Sequence, residues 1–504
     1  MNEKILYTPN KIGEYNLVMA YPACEAFALS SLGYMWLYML ADKTEGIDVK
    51  RISTDNCNIN PEKIDAIAFS MSFDFDYIGV LEILDKLNLP FYSRERDEST
   101  PLIFAGGPVI TTNPRPYEHF FDFMIIGDGE SVFQDCLKIL KEKLPKEESL
   151  KMLSKIDGVY IPISDVTKRT ECLNNIIYTP ILSDKSYFKN TFIVELTRGC
   201  MNRCAFCTAS YTNLPFRSNN YEKVIDVIDL GLKNTNRIAL LGAQISAHPK
   251  FSEIFSYINN VIQNSQNIEL SISSLRTDAI TPEVIKTLVL GNQKHSTIAI
   301  EAASERLRKF VNKNISEEQI FNSIQIAKNY GLKGLKIYCM IGIPTETEED
   351  INEFIKLASK IKAQNKGFNI EFSFSTFVPK PHTPLQWANR EETISLEKKQ
   401  KYLEKELNKL GFASKFSSAK WDYWQTVLSR SDNNITPMLI DVYKNGGKIG
   451  AYKNAAKKFN LELTKTIQGY RMEDPLPWDN IQINPGKDFL KNEYRKLYSS
   501  YGEI

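Results

Sequence analysis

The stretch Glu195-Leu-Thr-Arg-Gly-Cys200-Met-Asn-Arg-Cys204-Ala-Phe-Cys207 decides how the rest of this 504-residue chain is interpreted. Its cysteines follow a C-x3-C-x2-C spacing, which gathers three thiolates on one short loop. An iron–sulfur cube has four irons, so three protein sulfurs leave one iron able to bind a substrate or cofactor. Residues 191–196 before the loop predict a β-strand. The loop therefore leaves the carboxyl end of a strand, where α/β folds place their chemistry.

A structural zinc site is the main alternative interpretation of these cysteines. Such a site takes four ligands, usually as two separated pairs. The nearest other cysteines, Cys172 and Cys339, and the nearest downstream histidine, His248, are all distant in sequence. A disulfide framework is not expected in a chain of this length with scattered cysteines. Five cysteines are expected to be buried apolar thiols: Cys24, Cys57, Cys136, Cys172 and Cys339.

The length of the chain predicts two or three domains, and its charge balance predicts no strong overall electrostatic field. The chain is too long for one domain. It has 62 basic and 61 acidic side chains, so its formal net charge of +1 is too small to steer it towards nucleic acid or a membrane. The most apolar run, residues 26–41, is shorter than the ~20 residues that cross a bilayer. We expect a cytoplasmic protein with no membrane partner, which also suits an oxygen-sensitive cluster.

The N-terminal part alternates apolar runs with helical stretches, as a parallel sheet with crossover helices does. Strands are predicted at residues 15–20, 49–52, 66–71, 102–105 and 123–126, and helices at residues 26–41, 77–87 and 131–144. Gly106-Gly107-Pro108 and Gly127-Asp128-Gly129-Glu130 stand at strand ends. They are either ligand-approach turns that lead into helix N-termini or plain β–α turns. We predict a Rossmann-like doubly wound α/β domain over residues 1–165.

A connector, residues 166–189, precedes a second α/β series over residues 190–388. Strands are predicted at residues 191–196, 237–241, 268–273, 297–300, 334–340 and 370–374. Helices are predicted at residues 221–232, 251–264, 282–290, 317–330 and 348–364. This β–α order predicts a partial (β/α)6 barrel related to the TIM barrel. Residues 389–504 are predicted to be mainly helical, with helices at residues 391–410, 420–429 and 439–459.

With Phe206 just before the third cysteine, the loop resembles the C-x3-C-x-aromatic-C signature of the radical S-adenosylmethionine (radical SAM) superfamily. The resemblance implies a 4Fe–4S cluster held by Cys200, Cys204 and Cys207, with S-adenosylmethionine (SAM) bound to the open iron. It also implies reductive cleavage of SAM to a 5′-deoxyadenosyl radical, with an electron donor such as flavodoxin or ferredoxin. Catalytic acid–base residues stay unassigned because the substrate is unknown.

The resemblance places the SAM contacts at the carboxyl ends of successive strands. Gly242-Ala243-Gln244 stands where relatives commonly have Gly-Gly-Glu for the methionine ammonium, and it is similar to the turn of methylthiotransferase-like relatives. Gln244 can accept a hydrogen bond but carries no charge. Ser274 and Arg276 end the third strand, where a guanidinium suits the methionine carboxylate. A packing salt bridge is the alternative role of Arg276.

Two further contacts are implied at the fourth and fifth strands. Glu301 corresponds to the residue that takes the ribose hydroxyls, and the backbone at Gly342 and Ile343 to the segment that packs on adenine. The sixth strand leads into a prolyl turn containing His382, which either touches substrate or serves as a surface or capping residue.

A doubly wound domain ahead of such a barrel resembles the cobalamin-binding branch of the superfamily, and the whole pattern is closest to an uncharacterised bacterial subgroup. The resemblance implies possible cobalamin contacts at Ser70, Ser72, Gly106, Gly107, Gly127 and Gly129. Relatives that replace the lower cobalt ligand use D-x-H-x-x-G, whereas His119 lies in Tyr117-Glu-His119-Phe-Phe-Asp122. Imidazole ligation of cobalt is therefore not expected. Two alternatives stay open. Either the domain binds cobalamin without an imidazole ligand and serves methyl transfer, or it binds no cobalamin and only shapes the substrate entrance.

Three functions follow from these patterns. The first is a radical SAM enzyme acting on a small molecule or peptide, possible methyl transfer included. The second is a tRNA-modifying enzyme, by analogy with the Gly-Ala-Gln turn, although those relatives append a small β-barrel and this chain ends in a helical pattern. The third is a non-catalytic iron–sulfur protein, which has no need of the nucleotide contacts at Arg276, Glu301 and Gly342.

Overall fold

The computed structural model describes residues 3–10, 13–162, 164–171, 173, 175–265 and 267–499. Cys172, one of the expected buried thiols, lies outside the described residues. The N-terminal strands are β1 (Glu3–Ile5), β2 (Gly13–Tyr21), β3 (Gly46–Ser53), β4 (Ala66–Ser70), β5 (Leu102–Gly106), β6 (Phe123–Ile125) and β7 (Val159–Tyr160). The helices are α1 (Glu25–Ala28), α2 (Leu32–Asp42), α3 (Tyr77–Lys86), α4 (Pro108–Thr112), α5 (Glu130–Leu140) and α6 (Lys146–Leu153).

Strands β2 to β7 form one sheet in the order β3-β2-β4-β5-β6-β7, parallel except for the edge strand β7. The first five of these strands have the flavodoxin-like order, in which ligands bind at the carboxyl ends of the strands. The Rossmann-like prediction is confirmed.

Two of the predicted N-terminal helices have different bounds in the structure. The predicted helix 26–41 is two helices, because α1 ends at Ala28 and α2 begins at Leu32. The Ser30 hydroxyl donates to the Ala26 carbonyl at the break, a side-chain bond that competes with helix continuation. The predicted helix 131–144 ends at Leu140. Pro145 follows, and because the residue before a proline disfavours helical backbone, the helix does not reach residue 144.

Strands β8 (Val166–Thr167) and β9 (Ile181–Ser183) lie in the connector, and β9 pairs antiparallel with β1. The barrel strands are β10 (Phe192–Arg198), β11 (Arg217–Ser218), β12 (Arg237–Gly242), β13 (Glu269–Ile272), β14 (His295–Glu301), β15 (Gly334–Ile341), β16 (Asn369–Thr376) and β17 (Ala413–Phe416). The helices are α7 (Tyr221–Leu232), α8 (Phe251–Asn264), α9 (Pro282–Leu290), α10 (Glu305–Phe310), α11 (Glu317–Asn329), α12 (Glu348–Gln364) and α13 (Thr393–Lys409).

The barrel consists of two four-stranded sheets, β11-β10-β12-β13 and β14-β15-β16-β17. A single parallel bridge between Leu275 and Ile298 joins them. All pairs except β10–β11 are parallel, and the helices cover the outside, so the partial-barrel prediction is confirmed. Strand β17 was not predicted: it pairs parallel with β16 and stacks Phe416 on Phe374 with ring centroids 4.9 Å apart. The barrel sheet therefore continues past residue 388.

The last elements are α14 (Ala419–Arg430), α15 (Thr436–Lys444), α16 (Ile449–Lys458), α17 (Thr464–Gln468), β18 (Ile481–Gln482) and α18 (Lys487–Ser499). The predicted helix 439–459 is α15 and α16, separated at Gly446 and Gly447, whose φ values are +82° and +67°. Strand β18 pairs with β8 in the connector.

Helices α14 to α16 pack on α3 of the N-terminal domain rather than standing apart. Val427, Leu439 and Tyr452 belong to the same buried cluster as Val80 and Leu84 of α3. The Tyr77 hydroxyl donates to the Tyr452 hydroxyl at 2.6 Å inside this cluster. In the described residues, none of the helices is both long enough and apolar enough to cross a membrane.

Candidate active site

The three cysteines lie on the loop that follows β10, at the mouth of the barrel. Cys200 and Cys204 are 8% and 6% exposed, and Cys207 is half-buried. Burial raises the pKa of the free Cys204 thiol to about 12 and also raises the pKa of Cys207. Ala205 in this loop donates to the Val311 carbonyl at 2.9 Å and accepts from the Leu385 amide at 3.2 Å. The loop is therefore held by two other strand connections of the barrel.

The donor set of this loop fits an iron–sulfur cluster. Among the described residues, no three His, Cys, Asp or Glu side chains are placed to hold one metal ion together. Cysteines that bind different irons of a cluster need not converge on one point, and thiolates are the ligands that such clusters use. The backbone at Gly199, just before Cys200, has φ +79°, and a Cβ there would lie 2.4 Å from the Asn213 carbonyl oxygen.

Gln244 reaches the cysteine loop from the next strand end. Its Oε1 accepts from Asn202 Nδ2 at 2.7 Å and lies 3.4 Å from the Cys200 sulfur. Gly242 permits this close approach, because a Cβ there would lie 2.4 Å from Thr197 Oγ1 of β10. The structure therefore brings the predicted Gly-Ala-Gln turn into contact with the loop.

Glu301 and Lys313 form a buried ion pair beside the loop, and the sequence analysis did not identify Lys313. Lys313 Nζ lies 3.0 Å from Glu301 Oε1, and both residues are buried. Burial opposes the charge on Lys313, but Glu301 and Cys204 together raise the pKa of this lysine above its usual value. Glu301 has φ +65°, a conformation that non-glycine residues adopt mainly under functional constraint. In the sequence, Lys313 stands between two asparagines in the segment 310–315, and nothing there distinguishes it from an ordinary surface lysine.

Arg276 is paired within its own turn. Its guanidinium lies 3.2 Å from the Asp278 carboxylate, as the packing interpretation expects. The positive charge of Arg276 acts against the rise in the pKa of Lys313, but less strongly than Glu301 and Cys204 act for it. Ser274 beside it is exposed.

The Gly342 turn closes another side of the barrel mouth. Gly342 has φ +76°, and its amide donates to Glu346 Oε1 at 2.9 Å. Burial raises the pKa of Glu346 to about 6, against the opposing charge of Lys399, whose Nζ lies 2.6 Å away. Ile343 is buried in the same apolar cluster on which Phe206 of the cysteine loop packs. The turn and the loop thus share one packing unit.

His382 is neither a surface residue nor a helix cap. It is buried with φ +57°, and its Nε2 has no partner among the described residues. Burial lowers the pKa of His382 to about 3, although a hydrogen bond with the Thr112 backbone opposes the shift. Its ring therefore meets α4 of the N-terminal domain.

A cavity of about 350 Å³ lies between the N-terminal sheet and the barrel. Gly107, Gly127 and Gly129 line it from the carboxyl edge of the sheet, and Thr208 and Thr212, just after Cys207, line it from the barrel. The other predicted contacts, Ser70, Ser72 and Gly106, do not belong to this lining. His119 precedes β6 at the opposite, amino-terminal edge of the sheet.

An ion-pair network that the sequence analysis missed crosses the same interface. Arg198 lies 3.1 Å from Asp128, 2.7 Å from Glu130 and 2.9 Å from Glu195. Arg217 adds a second cation at 2.5 Å from Asp128. Burial would raise the pKa of Asp128, but the two guanidinium groups hold it below its usual value. The Gly-Asp-Gly-Glu turn is therefore anchored to the strand that carries the cysteine loop.

Family comparisons match both halves of the chain. Residues 42–162 match the family described as radical SAM proteins, N-terminal, and residues 194–358 match the radical SAM superfamily. The uncharacterised protein MJ0966 of Methanocaldococcus jannaschii is 31% identical over 83% of this chain and 88% of its own length. A threonylcarbamoyladenosine tRNA methylthiotransferase, MtaB of Aquifex aeolicus, is 22% identical over 54% of this chain and 63% of its own.

Two solved structures share the fold over most of the chain. The cobalamin-dependent radical SAM enzyme OxsB, with aqua-cobalamin and SAM bound, covers 99% of this chain and 80% of its own with a TM-score of 0.54 and 13% identity. TsrM of Kitasatospora setae, a radical SAM methyltransferase with cobalamin and a 4Fe–4S cluster bound, covers 89% and 99% with a TM-score of 0.52 and 11% identity. At these identities the likeness is one of fold. Its sequence, its barrel and its cysteine loop together make this chain a radical SAM enzyme, a member of the superfamily that uses a 4Fe–4S cluster and SAM.

Proposed function

We propose that Cys200, Cys204 and Cys207 hold the 4Fe–4S cluster and that SAM binds beside it against Gln244 and the Glu301–Lys313 pair. When bound, the cluster would supply the one electron that cleaves the sulfur–C5′ bond of SAM, giving methionine and a 5′-deoxyadenosyl radical. The residues of this chain then have separate tasks. Glu301 offers a carboxylate to the ribose hydroxyls, and Lys313, held 3.0 Å from it, orients that carboxylate. Gln244 places an amide oxygen at the Cys200 side for the methionine ammonium.

Two further groups complete the proposed SAM site. Arg276 is a candidate for the methionine carboxylate, with Asp278 holding its guanidinium in place before SAM binds. Ser274 stays a predicted neighbour of that contact. Gly342 and Ile343 present backbone to adenine, and Glu346 fixes the Gly342 amide. The apolar packing of Phe206 with Ile343 keeps water from this side of the loop.

We also propose that the interdomain cavity receives part of a cobalamin and that the reaction is methyl transfer. The carrying observation is that one cavity touches both the glycine edge of the sheet and the segment directly after Cys207. Its walls include apolar side chains of α2, Trp36 and Leu37, and the volume of about 350 Å³ accommodates one portion of a corrinoid. Cobalamin, if bound, would supply methyl-transfer chemistry; of the two structures that share this fold, both hold cobalamin and TsrM is a radical SAM methyltransferase. Ser70, Ser72 and Gly106 stay predicted contacts for parts of the group outside the cavity.

The test is anaerobic purification with iron, sulfide and cobalt quantified, followed by assays for 5′-deoxyadenosine and S-adenosylhomocysteine. Gly129→Phe is expected to fill the cavity and remove cobalamin while iron content stays unchanged. Gly129→Ala is the matched control, because the nearest atom to a Cβ at this position is Leu37 Cδ1 at 3.6 Å. Cobalamin binding that survives Gly129→Phe contradicts the cavity as its site.

The second candidate is modification of tRNA. It is favoured by the contact of Gln244 with the cysteine loop, since that turn is similar to methylthiotransferase-like relatives, and by the likeness to MtaB. Beyond the barrel strand β17, the described C-terminal residues contain one further strand, β18, and are otherwise mainly helical, unlike the appended β-barrel of those relatives. Binding of a tRNA that weakens steeply with salt would favour this function. For either enzyme we propose a cytoplasmic location and a flavodoxin or ferredoxin as electron donor. A reducing compartment suits the cysteines of the described residues, which form no disulfide.

A further inference from the structure

Helix α18 packs against the outside of the cysteine loop. The Arg203 guanidinium of the loop lies over the Phe489 ring of the helix, 5.3 Å from its centroid. Tyr494 and Leu497 of α18 pack on the same apolar cluster to which Ala205 of the loop belongs. One face of the helix is therefore part of the wall around the three cysteines, and its opposite face lies in solvent.

The chain between the first two cysteines also reaches solvent on this side. Cys200 is buried, but Met201 after it is 57% exposed, and Arg203 is exposed as well. Gln244 contacts Cys200 from the proposed SAM site, and the segment after Cys207 lines the proposed cobalamin cavity. The exposed stretch of the loop is therefore the approach to the cluster that the two proposed cofactors leave open.

The solvent-facing side of α18 carries a local surplus of positive charge. Two ion pairs involve the helix: Lys487 with Asp479, and Lys496 with Glu493. In the part of the chain that the structure describes, Lys491 and Arg495 of the helix and Arg203 of the loop have no ion-pair partner. Asp488 is an exposed carboxylate on the same side. Three such cations beside one carboxylate make this surface positive, although the whole chain has a formal net charge of only +1.

We propose that the outer face of α18, with the Met201–Arg203 stretch of the loop, is the docking surface for a small acidic protein that carries one electron. This inference rests on the proposed function, because reductive cleavage of SAM needs a one-electron donor. One electron passes from the reduced carrier to the oxidised cluster, and the carrier leaves oxidised by one electron. Interfaces between redox proteins are small and weak, so a few charges at the rim decide how fast the partners meet.

The probe is an acidic, plant-type 2Fe–2S ferredoxin. The rate of 5′-deoxyadenosine formation by the reconstituted enzyme is measured against the concentration of reduced ferredoxin, and separately with dithionite as the reductant. Lys491→Glu and Arg495→Glu should each raise the half-saturating ferredoxin concentration about fivefold at low salt, because each reverses a charge that attracts the carrier. The dithionite-supported rate should be unchanged in both.

Arg94→Glu is the matched control. Arg94 is exposed, and its guanidinium lies 4.8 Å from the ring centroid of Tyr92, much as Arg203 lies over Phe489. It stands in the turn before β5, at the amino-terminal edge of the N-terminal sheet. Reversal of this charge should leave the half-saturating ferredoxin concentration unchanged.

Calorimetry of ferredoxin with the full-length protein, without SAM, measures docking without turnover. Lys491→Glu and Arg495→Glu should bind ferredoxin about fivefold more weakly than the wild type at low salt, and Arg495→Lys should retain the wild-type affinity. Added salt should reduce the difference between the variants and the wild type, because it screens exposed charges.

Absence of ferredoxin binding to the wild type, or affinity unchanged in both α18 variants, would overturn the docking surface. An equal effect of Arg94→Glu would do the same, and so would a dithionite-supported rate that falls in parallel, since the residues would then act on the enzyme itself. Binding of a tRNA that is lost in the α18 variants, with ferredoxin binding intact, would assign the surface to RNA instead. Failure of the wild type to cleave SAM with dithionite is a separate result, because it contradicts the proposed function and leaves the calorimetric measurement intact.

Discussion

Lys313 Nζ lies 3.0 Å from Glu301 Oε1, and this buried ammonium is also close enough to Cys204 to be influenced by its sulfur. Lys313→Met leaves the Glu301 carboxylate buried without its cation, which typically costs about 3–5 kcal/mol. We expect a raised KM for SAM and lowered stability, whereas Lys313→Arg should retain most of the SAM affinity. Rates of 5′-deoxyadenosine formation against SAM concentration, at matched iron content, check this. An unchanged KM in Lys313→Met would place Lys313 outside the SAM site.

Cys204→Ala is expected to abolish both cluster assembly and SAM cleavage, because two thiolates cannot replace three on this loop. Cys24→Ala is the control, since Cys24 is a half-buried thiol of the N-terminal domain and should be dispensable. Iron and sulfide analysis with the 5′-deoxyadenosine assay makes the comparison. Turnover retained in Cys204→Ala contradicts the assignment of the cluster ligands.

Arg198→Met should weaken the interface between the N-terminal domain and the barrel and so lower the stability of the protein. Asp128, Glu130 and Glu195 then lose the guanidinium that lies within 3.1 Å of each, and removal of one partner from a largely buried network costs about 3–5 kcal/mol. Arg237→Met is the control, because the Arg237–Glu269 pair is exposed and worth less than about 1 kcal/mol. Thermal unfolding measures the stability of both variants. Equal shifts in melting temperature would mean that the Arg198 network contributes no more than an exposed ion pair.

Gly342→Ala is expected to disturb the adenine turn for two reasons. The left-handed backbone at φ +76° costs about 1–2 kcal/mol for a residue with a Cβ. That Cβ would also lie 2.6 Å from Leu396 Cδ2. Gly367→Ala separates the two effects, since Gly367 has the same φ and no atom within 4 Å of a Cβ. SAM affinity measured by calorimetry should fall in Gly342→Ala and be unchanged in Gly367→Ala.

His382 should make stability depend on acid pH. Burial holds its pKa at about 3 in the folded protein, below the value of about 6.5 in the unfolded chain. The unfolded chain therefore binds the extra proton first, so stability falls as the pH drops below 6.5, by about 2 kcal/mol at pH 5. His382→Asn keeps a residue that tolerates the left-handed φ and removes this titration.

Melting temperatures between pH 5 and pH 7.5 test the histidine effect, with His119→Asn as the control. The wild type should lose stability on acidification, and His382→Asn should lose less. Identical pH dependence in the two proteins would mean that His382 does not carry the acid sensitivity.

Local sequence information was sufficient for the regular barrel elements. The predicted helices 221–232, 251–264, 282–290 and 348–364 agree with α7, α8, α9 and α12. Three of these begin at Asn220, Thr281 and Thr347, whose side chains accept a hydrogen bond from the backbone of the first turn. A capping residue before an amphipathic run is visible in sequence. The cysteine loop, which indicates the family, is also a short local stretch of sequence. The family assignment made from it is confirmed.

The features that were missed depend on distant partners. Strand β17 is short and half-exposed, and only its pairing with β16 makes it a strand. Lys313 resembles an ordinary charged residue until β14 brings Glu301 to it, and Arg198 meets Asp128 and Glu130 only because two domains pack together. The roles of the predicted site residues stay predictions, to be tested by the variants above.

The packing of helices α14 to α16 on α3 of the N-terminal domain has a consequence for the order in which the chain folds during synthesis. The apolar face of α3 is covered by Val427, Leu439 and Tyr452, which the ribosome adds more than three hundred residues later. The first domain therefore cannot complete its core during synthesis until almost the whole polypeptide has emerged. We expect the two barrel sheets, whose last strand ends at Phe416, to be complete in the emerging chain before the core of the N-terminal domain is.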